Sequence, residues 1–327
     1  MLGNLGLDIS LGPLSSLPAW GTEVVVSSST FRPGGAVANT ALALAGLASS
    51  SGLKLEDLEA TAATGLVLSS PATSITIFSV VGSDAHGRSL VKQLRAAGVD
   101  TSGVSPLPQL PTSVGLALVH PSGERAFVTD LGALVGADDA WVSTWIDKPS
   151  GPGYFLLTGA CLLPGLPPAR MAELFRRMRA RDLRTALDTG WATDNWQPQT
   201  VAGWRAVLAD TDLFLPNELE AEALTGTGDP QAAAEALRTL CGGTVVVKIG
   251  ARGALVADRR GVRHIPTEPR EVADSTGAGD LLNAGLLYGL SLGWTIDDAV
   301  ALGHRLAGCV LENRRTYFPS VAELVGC

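Results

Sequence analysis

The segment Ala273-Asp-Ser-Thr-Gly-Ala-Gly-Asp280 runs directly into the apolar stretch Leu281 to Leu292. Small residues let a backbone approach a ligand closely. Successive N–H groups at a helix N-terminus, at the positive end of its dipole, form a site into which a phosphate can settle. Asp280 falls in the first turn of that helix, pointing at the same site. The plain alternative is that Asp280 or Asp274 only caps the helix.

Four more segments carry residue types suited to ligand chemistry. Pro216-Asn-Glu-Leu-Glu-Ala221 follows the apolar run Leu213 to Leu215, the strand-end position where α/β sheets gather ligand groups. Asn217 and Glu220 share one helix face and together suit magnesium-bound water, since that ion takes oxygen ligands and keeps several waters. The same pair also reads as a capping box. Val247-Lys-Ile-Gly-Ala-Arg-Gly253 reads on its own as a tight turn between two strands. Arg32-Pro-Gly-Gly-Ala-Val-Ala-Asn-Thr40 opens an Ala/Leu-rich helix, with Asn39 able to donate to and accept from a hydroxyl-bearing ligand. In Gly3-Asn-Leu-Gly-Leu-Asp8, Asp8 can accept two hydrogen bonds from neighbouring hydroxyls.

The elements that must position these residues are legible as alternation. Tyr154–Leu157, Asp212–Leu215 and Thr244–Val247 are continuous apolar runs, the pattern of strands buried on both faces of a parallel sheet. Between and after them, 168–181, 230–240 and 278–292 have helical spacing. A doubly wound α/β fold follows, with helices on both faces. Glu23–Ser28 and Thr112–Val119 read as strands without a crossover helix. The second alternates Val114, Leu116 and Leu118 with smaller residues, turns at Pro121-Ser-Gly123 and returns through Arg125–Val128, as a ribbon with one buried face. Together these two segments are expected to form a small sheet covering the main domain. The Ser/Ala/Thr-rich stretch 48–74 is expected to be a surface excursion outside any cleft.

Composition narrows the chemistry. With 24 basic against 32 acidic residues the net charge is −8, which gives no footprint for nucleic acid and no polybasic membrane patch. No apolar run reaches the roughly 18 residues of a membrane span, and no Lys or Arg precedes Arg32 to form a signal-peptide n-region. Cys161, Cys241, Cys309 and Cys327 are widely spaced, which argues against a disulfide framework or zinc site and for a reducing cytoplasm. His86, His120, His264 and His304 lack metal-site spacing. There is no P-loop, no dinucleotide fingerprint and no nucleophile elbow.

In their order and spacing these motifs resemble the ribokinase-like (PfkB-type) carbohydrate kinases, from Gly3 to about Leu290. Supporting segments are Val81-Gly-Ser-Asp-Ala-His-Gly87, Gly98-Val-Asp100, Pro111-Thr112, Gly123-Glu-Arg125 and Leu157-Thr-Gly-Ala160. The resemblance implies one domain over residues 1–327: a three-layer αβα sandwich with a mostly parallel central sheet, and a small β lid from about 10–33 and 110–130. It implies transfer of the γ-phosphoryl group of ATP to a primary hydroxyl of a small sugar or sugar acid, fructose-like or 2-keto-3-deoxygluconate-like. ATP and Mg2+ are the implied cofactors, with a monovalent cation as a further candidate.

By matching motifs, Asp280 is the implied base and Gly277, Ala278 and Gly279 the anion hole. Asp8, Gly34, Gly35 and Asn39 are the implied sugar contacts. Asn217, Lys248, Gly250 and Gly253 are implied on the nucleotide side, with Glu220 holding the metal through water. The lid is expected to exclude water and to offer a surface for homodimerisation.

Three departures stand out. Ala36 replaces a lysine common in ribokinase itself, which counts against ribose. The stretch 48–74 lengthens the pattern. His304, Arg305 and Thr316-Tyr317 stand where many members place an Asn and small residues beside the adenine. Two other readings compete: a nucleoside kinase of the same fold, for which the ribbon offers only Phe127 as an aromatic lid, and a non-catalytic sugar- or nucleotide-binding regulator.

Overall fold

The computed structural model describes residues 1–50, 52–54, 74–121, 125–268, 270, 275–312 and 317–325. Its main sheet has nine strands: β1 (Leu2–Gly3), β5 (Thr76–Gly82), β6 (Asp100–Leu107), β9 (Gly153–Thr158), β10 (Leu183–Asp188), β11 (Leu213–Phe214), β12 (Thr244–Lys248), β13 (Ala254–Asp258) and β14 (Gly261–Ile265). They lie in the order β14-β13-β12-β11-β10-β9-β1-β5-β6. All neighbours are parallel except in the hairpin that β13 makes with β12 and β14.

The continuous apolar runs do what such runs must. In β9, Phe155 and Leu157 enter the core on one face and Leu156 the core on the other. Val245 and Val247 of β12 likewise oppose Val246. On the first face, Trp145 stacks on Phe78 with ring centroids 4.4 Å apart and lies near Phe155, which meets Phe175 edge-on.

Among the described residues the helices are α1 (Ala36–Ala48), α2 (Ala85–Ala96), α3 (Asp139–Ser143), α4 (Pro168–Arg179), α5 (Pro198–Leu208), α6 (Glu218–Thr225), α7 (Pro230–Leu240), α8 (Ala278–Ser291) and α9 (Ile296–Glu312). Those expected at 168–181, 230–240 and 278–292 are α4, α7 and α8, with ends within two residues.

A second sheet of four strands stands apart, in the order β3-β2-β7-β8: β2 (Gly6–Gly12), β3 (Ser28–Gly34), β7 (Val114–Val119) and β8 (Arg125–Asp130). Its polar alternation splits the residues cleanly. Asp8 and Ser10 lie opposite Arg32 and Thr30 on one face, while Leu7, Ile9 and Leu11 share the other with Phe31, Leu116 and Leu118. Its root is fixed to the main domain by Asp84, which caps α2 through the Gly87 N–H at 2.8 Å and accepts from the Thr112 N–H and hydroxyl, both at 2.7 Å. Burial pushes the Asp84 carboxyl up, but these hydrogen bonds outweigh it and hold its pKa down at about 2. This accounts structurally for the motif around Val81–Gly87 and its pairing with Thr112.

Three expectations need correction, and a fourth falls mostly outside the described residues. Glu23–Ser28 is not a strand: the partner of β2 begins only at Ser28, and Val24 and Val25 are exposed. A β-branched run becomes a strand only where an open edge receives it. Val114, Leu116 and Leu118 are half-buried rather than a core face, and Ala117 is the buried residue of β7, because the small sheet does not lie flat on the main core. Of the stretch 48–74, Ala48 ends α1, and Leu53–Lys54 pairs as β4 with β15 (Tyr317–Phe318); residues 55–73 lie outside the described residues. Cys309 is disulfide-bonded, since distance along the chain does not limit approach in space, while Cys161 and Cys241 are free.

Helices α8 and α9 touch backbone to backbone. A Cβ on Gly285 would sit 2.5 Å from the Cα of Gly303, and one on Gly303 would sit 2.6 Å from the Leu282 carbonyl oxygen. Gly285→Ala is therefore expected to destabilise the fold by roughly 1–3 kcal/mol in urea unfolding. Gly228→Ala, where a Cβ meets nothing nearer than 3.5 Å, serves as the control and is expected to stay close to wild type.

Candidate active site

The strands of the main sheet end together near Asn4, Thr158, Asp188, Asn217 and Lys248, and α1, α6 and α8 start beside them. Ligand groups gather at this end of a parallel sheet because the loops and helix N-termini converge there.

The entry to α1 is built around Asn4. Its Oδ1 accepts from the Ala36 N–H at 3.0 Å. Gly35 has φ 82°, and a Cβ there would sit 2.2 Å from the Asn4 carbonyl oxygen; one on Gly159 would sit 2.0 Å from Asn4 Oδ1. Gly34 is required for a different reason: its missing Cβ leaves the place that the Asp8 carboxylate fills, with Cγ 2.0 Å from the would-be atom. These glycines thus set Asp8 and the start of α1 against each other. One turn further on, the buried Asn39 donates from Nδ2 to Asp280 Oδ2 at 2.8 Å. The structure therefore brings together Asp8, Gly34, Gly35, Asn39 and Asp280. Asp280 lies in the first turn of α8, whose N-cap Gly277 has φ 79°; Asp274 lies outside the described residues.

Further along α8 lies a second cluster. Asn283, fully buried, donates from Nδ2 to Asp188 Oδ2 at 2.6 Å, and its Oδ1 accepts from Lys248 Nζ at 3.4 Å. Lys248 Nζ also donates to Asp188 Oδ2 at 2.9 Å. The ammonium lies against Gly279, where a Cβ would sit 3.2 Å from Nζ. A side chain at that position would push the positive charge away from the helix start. Burial works against the Lys248 ammonium, but the charges of Asp188 and Glu220 outweigh it and hold its pKa above the ordinary lysine value.

Asn217 and Glu220 form the full capping box. Glu220 N–H donates to Asn217 Oδ1 at 2.9 Å, while Asn217 donates from its backbone N–H and Nδ2 to the two Glu220 oxygens at 3.0 and 2.8 Å. The capping reading is correct, and it does not remove Glu220 from the site. Burial first, then the charge of Asp188, pushes the Glu220 pKa up to about 7, against the pull of Lys248. Asn217 and Lys248 are joined by a β-bridge, the Lys248 N–H donating to the Pro216 carbonyl at 2.8 Å.

Gly250 and Gly253 stand a little apart. Gly250 has φ 61° with open space around it. Gly253 has φ 98°, and its missing Cβ admits the Ile265 carbonyl. The hairpin alone accounts for Gly253.

Sequence reasoning missed Asn4, Asp188 and Asn283. Asp188 ends the strand β10 as Asn217 follows β11, so the same strand-end rule could have found it. Asn283 is a polar residue inside the apolar run Leu281 to Leu292, which for a buried helix is itself a signal. Among the described residues no three His, Cys, Asp or Glu side chains gather as a metal cage. The donor set of Asp188, Glu220 and Asn217 instead fits an ion that keeps several waters. Two carboxylates close enough for one to raise the pKa of the other also concentrate negative charge that a cation relieves.

Comparison with known proteins identifies relatives of this chain. The model of the pfkB family carbohydrate kinases matches residues 11–323. An uncharacterized sugar kinase of Archaeoglobus fulgidus is 30% identical over 240 residues, 71% of this chain and 89% of that protein. The 2-dehydro-3-deoxygluconokinase of Thermoproteus tenax is 30% identical over 260 residues, 74% of this chain and 77% of that protein. A crystal structure of a putative ribokinase II from E. coli in complex with ATP and Mg2+ has the same fold, with TM-score 0.77 and 19% identity, covering 99% of this chain and 96% of that one.

The Glu220 environment has a measurable consequence. Its folded pKa of about 7 exceeds the ordinary 4.5, so between these values the folded state holds a proton that the unfolded state has lost. The associated stability is complete below pH 4.5 and declines as pH rises through 7. In chelator-treated protein, the difference in urea stability between wild type and Glu220→Gln is expected to shift by on the order of 2 kcal/mol against wild type across this window. A pH-independent difference would count against the assigned environment.

Proposed function

We propose that this chain, which belongs to the pfkB family of carbohydrate kinases and is an ATP-dependent sugar kinase, phosphorylates a primary hydroxyl of a small sugar or sugar acid, fructose-like or 2-keto-3-deoxygluconate-like. One observation carries the proposal. The first turn of α8 presents Asp280, held by Asn39 at 2.8 Å, and the small residues Gly277, Ala278 and Gly279, with the Lys248 ammonium alongside. An acceptor hydroxyl and a phosphoryl group can therefore meet at one helix N-terminus.

Each residue has a physical task. Asp8, Gly34, Gly35 and Asn39 bind and orient the sugar. Asn39 also fixes one Asp280 oxygen. A carboxylate with an ordinary pKa of about 3.9 cannot strip an alcohol outright, so the proton passes to Asp280 late, as the loose phosphoryl transition state forms. The N–H groups at the start of α8 and Lys248 face the charge that spreads over the phosphoryl oxygens. Positioning supplies much of the remaining rate. Asp188, Glu220 through water, and Asn217 would hold Mg2+, which when bound neutralises charge on the nucleotide phosphates. Gly250 and Gly253 keep the hairpin beside the nucleotide low. The relative named for 2-dehydro-3-deoxygluconate supports a sugar-acid acceptor. ATP as the donor supports a cytoplasmic location.

The small sheet is proposed as a lid that closes on the sugar and excludes water. Its outer face, with Phe31 and Val128 exposed beside Leu7, Ile9 and Leu116, is proposed to pair with the same face of a second copy. Sedimentation is expected to give a dimer for the wild type and a monomer for Phe31→Asp.

An ADP-release assay over sugars, sugar acids and nucleosides tests the acceptor. Turnover restricted to nucleosides would replace this reading with a nucleoside kinase, and no turnover in a folded sample would leave a binding protein. With the acceptor in hand, Asp280→Asn is expected to lower kcat by about 10²–10⁴-fold with both substrates still bound. Asp8→Ala is expected mainly to raise the sugar KM, because it removes hydrogen bonds made in ground state and transition state alike.

A further inference from the structure

Arg32 plays no part in the chemistry above, yet the small sheet sets it directly across from Asp8: the two are register partners between β2 and β3 and so lie on one face. Two glycines share this face beside Asp8. Gly34 and Gly115 flank the Asp8 carboxylate, and a Cβ on either would sit 2.0 Å from Asp8 Cγ or 3.2 Å from Oδ1. The Arg32 side chain is half-buried, and its Nε and Nη2 are shut off from solvent with no hydrogen-bond partner. A guanidinium is always charged, and leaving its N–H groups buried without an acceptor is costly. By contrast, Lys248 is already engaged by Asp188.

The electrostatics of the site give this cation a purpose. Asp8 and Asp280 both bear on the acceptor position, and the chain carries a net charge of −8. An anionic sugar would be repelled there unless a local positive charge met it. A guanidinium presents two N–H groups in a planar fork that matches the two oxygens of a carboxylate or phosphate. We infer that Arg32 is a specificity-determining residue that selects an acceptor carrying an anionic group, a sugar acid or a sugar phosphate, over a neutral sugar. The inference rests on the sugar-kinase reading and deepens it by naming the class of acceptor.

The test compares fructose, 2-keto-3-deoxygluconate and fructose 6-phosphate as acceptors, with wild type, Arg32→Gln and Arg32→Lys of the full chain. Wild type is expected to show the higher kcat/KM for one of the two anions, and which one identifies the group recognised. In Arg32→Gln the ratio of anionic to neutral kcat/KM is expected to collapse by about 10²-fold, mostly through KM. Arg32→Lys, which keeps the charge but loses the fork, is expected to fall between. A wild type that favours fructose, or an unchanged ratio in Arg32→Gln, would overturn the inference.

Calorimetric titration of the same three sugars separates this from failure of the kinase reading. Anion binding to wild type that Arg32→Gln loses, without turnover, would uphold Arg32 and defeat the assigned reaction. Turnover of neutral sugars alone, with no anion binding to either protein, would do the reverse. No binding or turnover of any of them would overturn both.

Discussion

The site depends on a buried amide. Asn283 contacts both members of the Lys248–Asp188 pair, and it does so from the same helix that carries Asp280 one turn earlier. Two charges out of water are tolerable only when geometry is held and the leftover hydrogen-bonding capacity is satisfied. Asn283 meets that condition and, by the same contacts, fixes the rotation of α8 about its own axis. Where α8 is held, the helix start faces Lys248 and Asp280 faces Asn39. The buried pair and the Asp280–Asn39 contact are thus one mechanical unit, registered by a single side chain.

A related constraint acts from the other side. Asn39 and Thr40 of α1 reach Asp280, the first at 2.8 Å through its side chain and the second at 3.5 Å to the carbonyl oxygen. Helix α1 is in turn set by Asn4 and the conformation of Gly35. Its glycines are therefore not interchangeable: one permits a backbone angle, and its neighbour makes room for a carboxylate. The chain spends its smallest residues where two polar groups must come closer than any side chain would allow.

Much of this was legible in the sequence, for physical reasons that differ between elements. Tyr154–Leu157 and Thr244–Val247 could be read as buried parallel strands because burial on both faces leaves no polar period to find. The start of α8 could be read because the small residues Gly277 to Gly279 run straight into an apolar helix. Glu23–Ser28 misled because strand propensity says nothing about which segment finds a free edge. Lys248 was placed on the nucleotide side, but its tie to Asp188 was hidden, since residues 60 positions apart meet only once the sheet order is known. Asn217 and Glu220 offered two readings that looked exclusive. In the folded chain one set of hydrogen bonds forms the cap, and the burial that comes with it raises the pKa of the Glu220 carboxyl.

The central strand β1 is only two residues long, and it lies between β5 and β9, with Leu2 in register with Phe78 and with Leu157. Of its two neighbours, β5 starts at Thr76 and β9 only at Gly153, so β1 gains its second partner only when a long loop closes. Until then the middle of the sheet has no lasting occupant on that side, and its apolar residues need shelter elsewhere. Closing such long loops is slow for entropic reasons. A two-residue strand at the middle of the sheet is thus held by contacts that form only after long loops have closed, and until they do its apolar neighbours are open to the wrong partners.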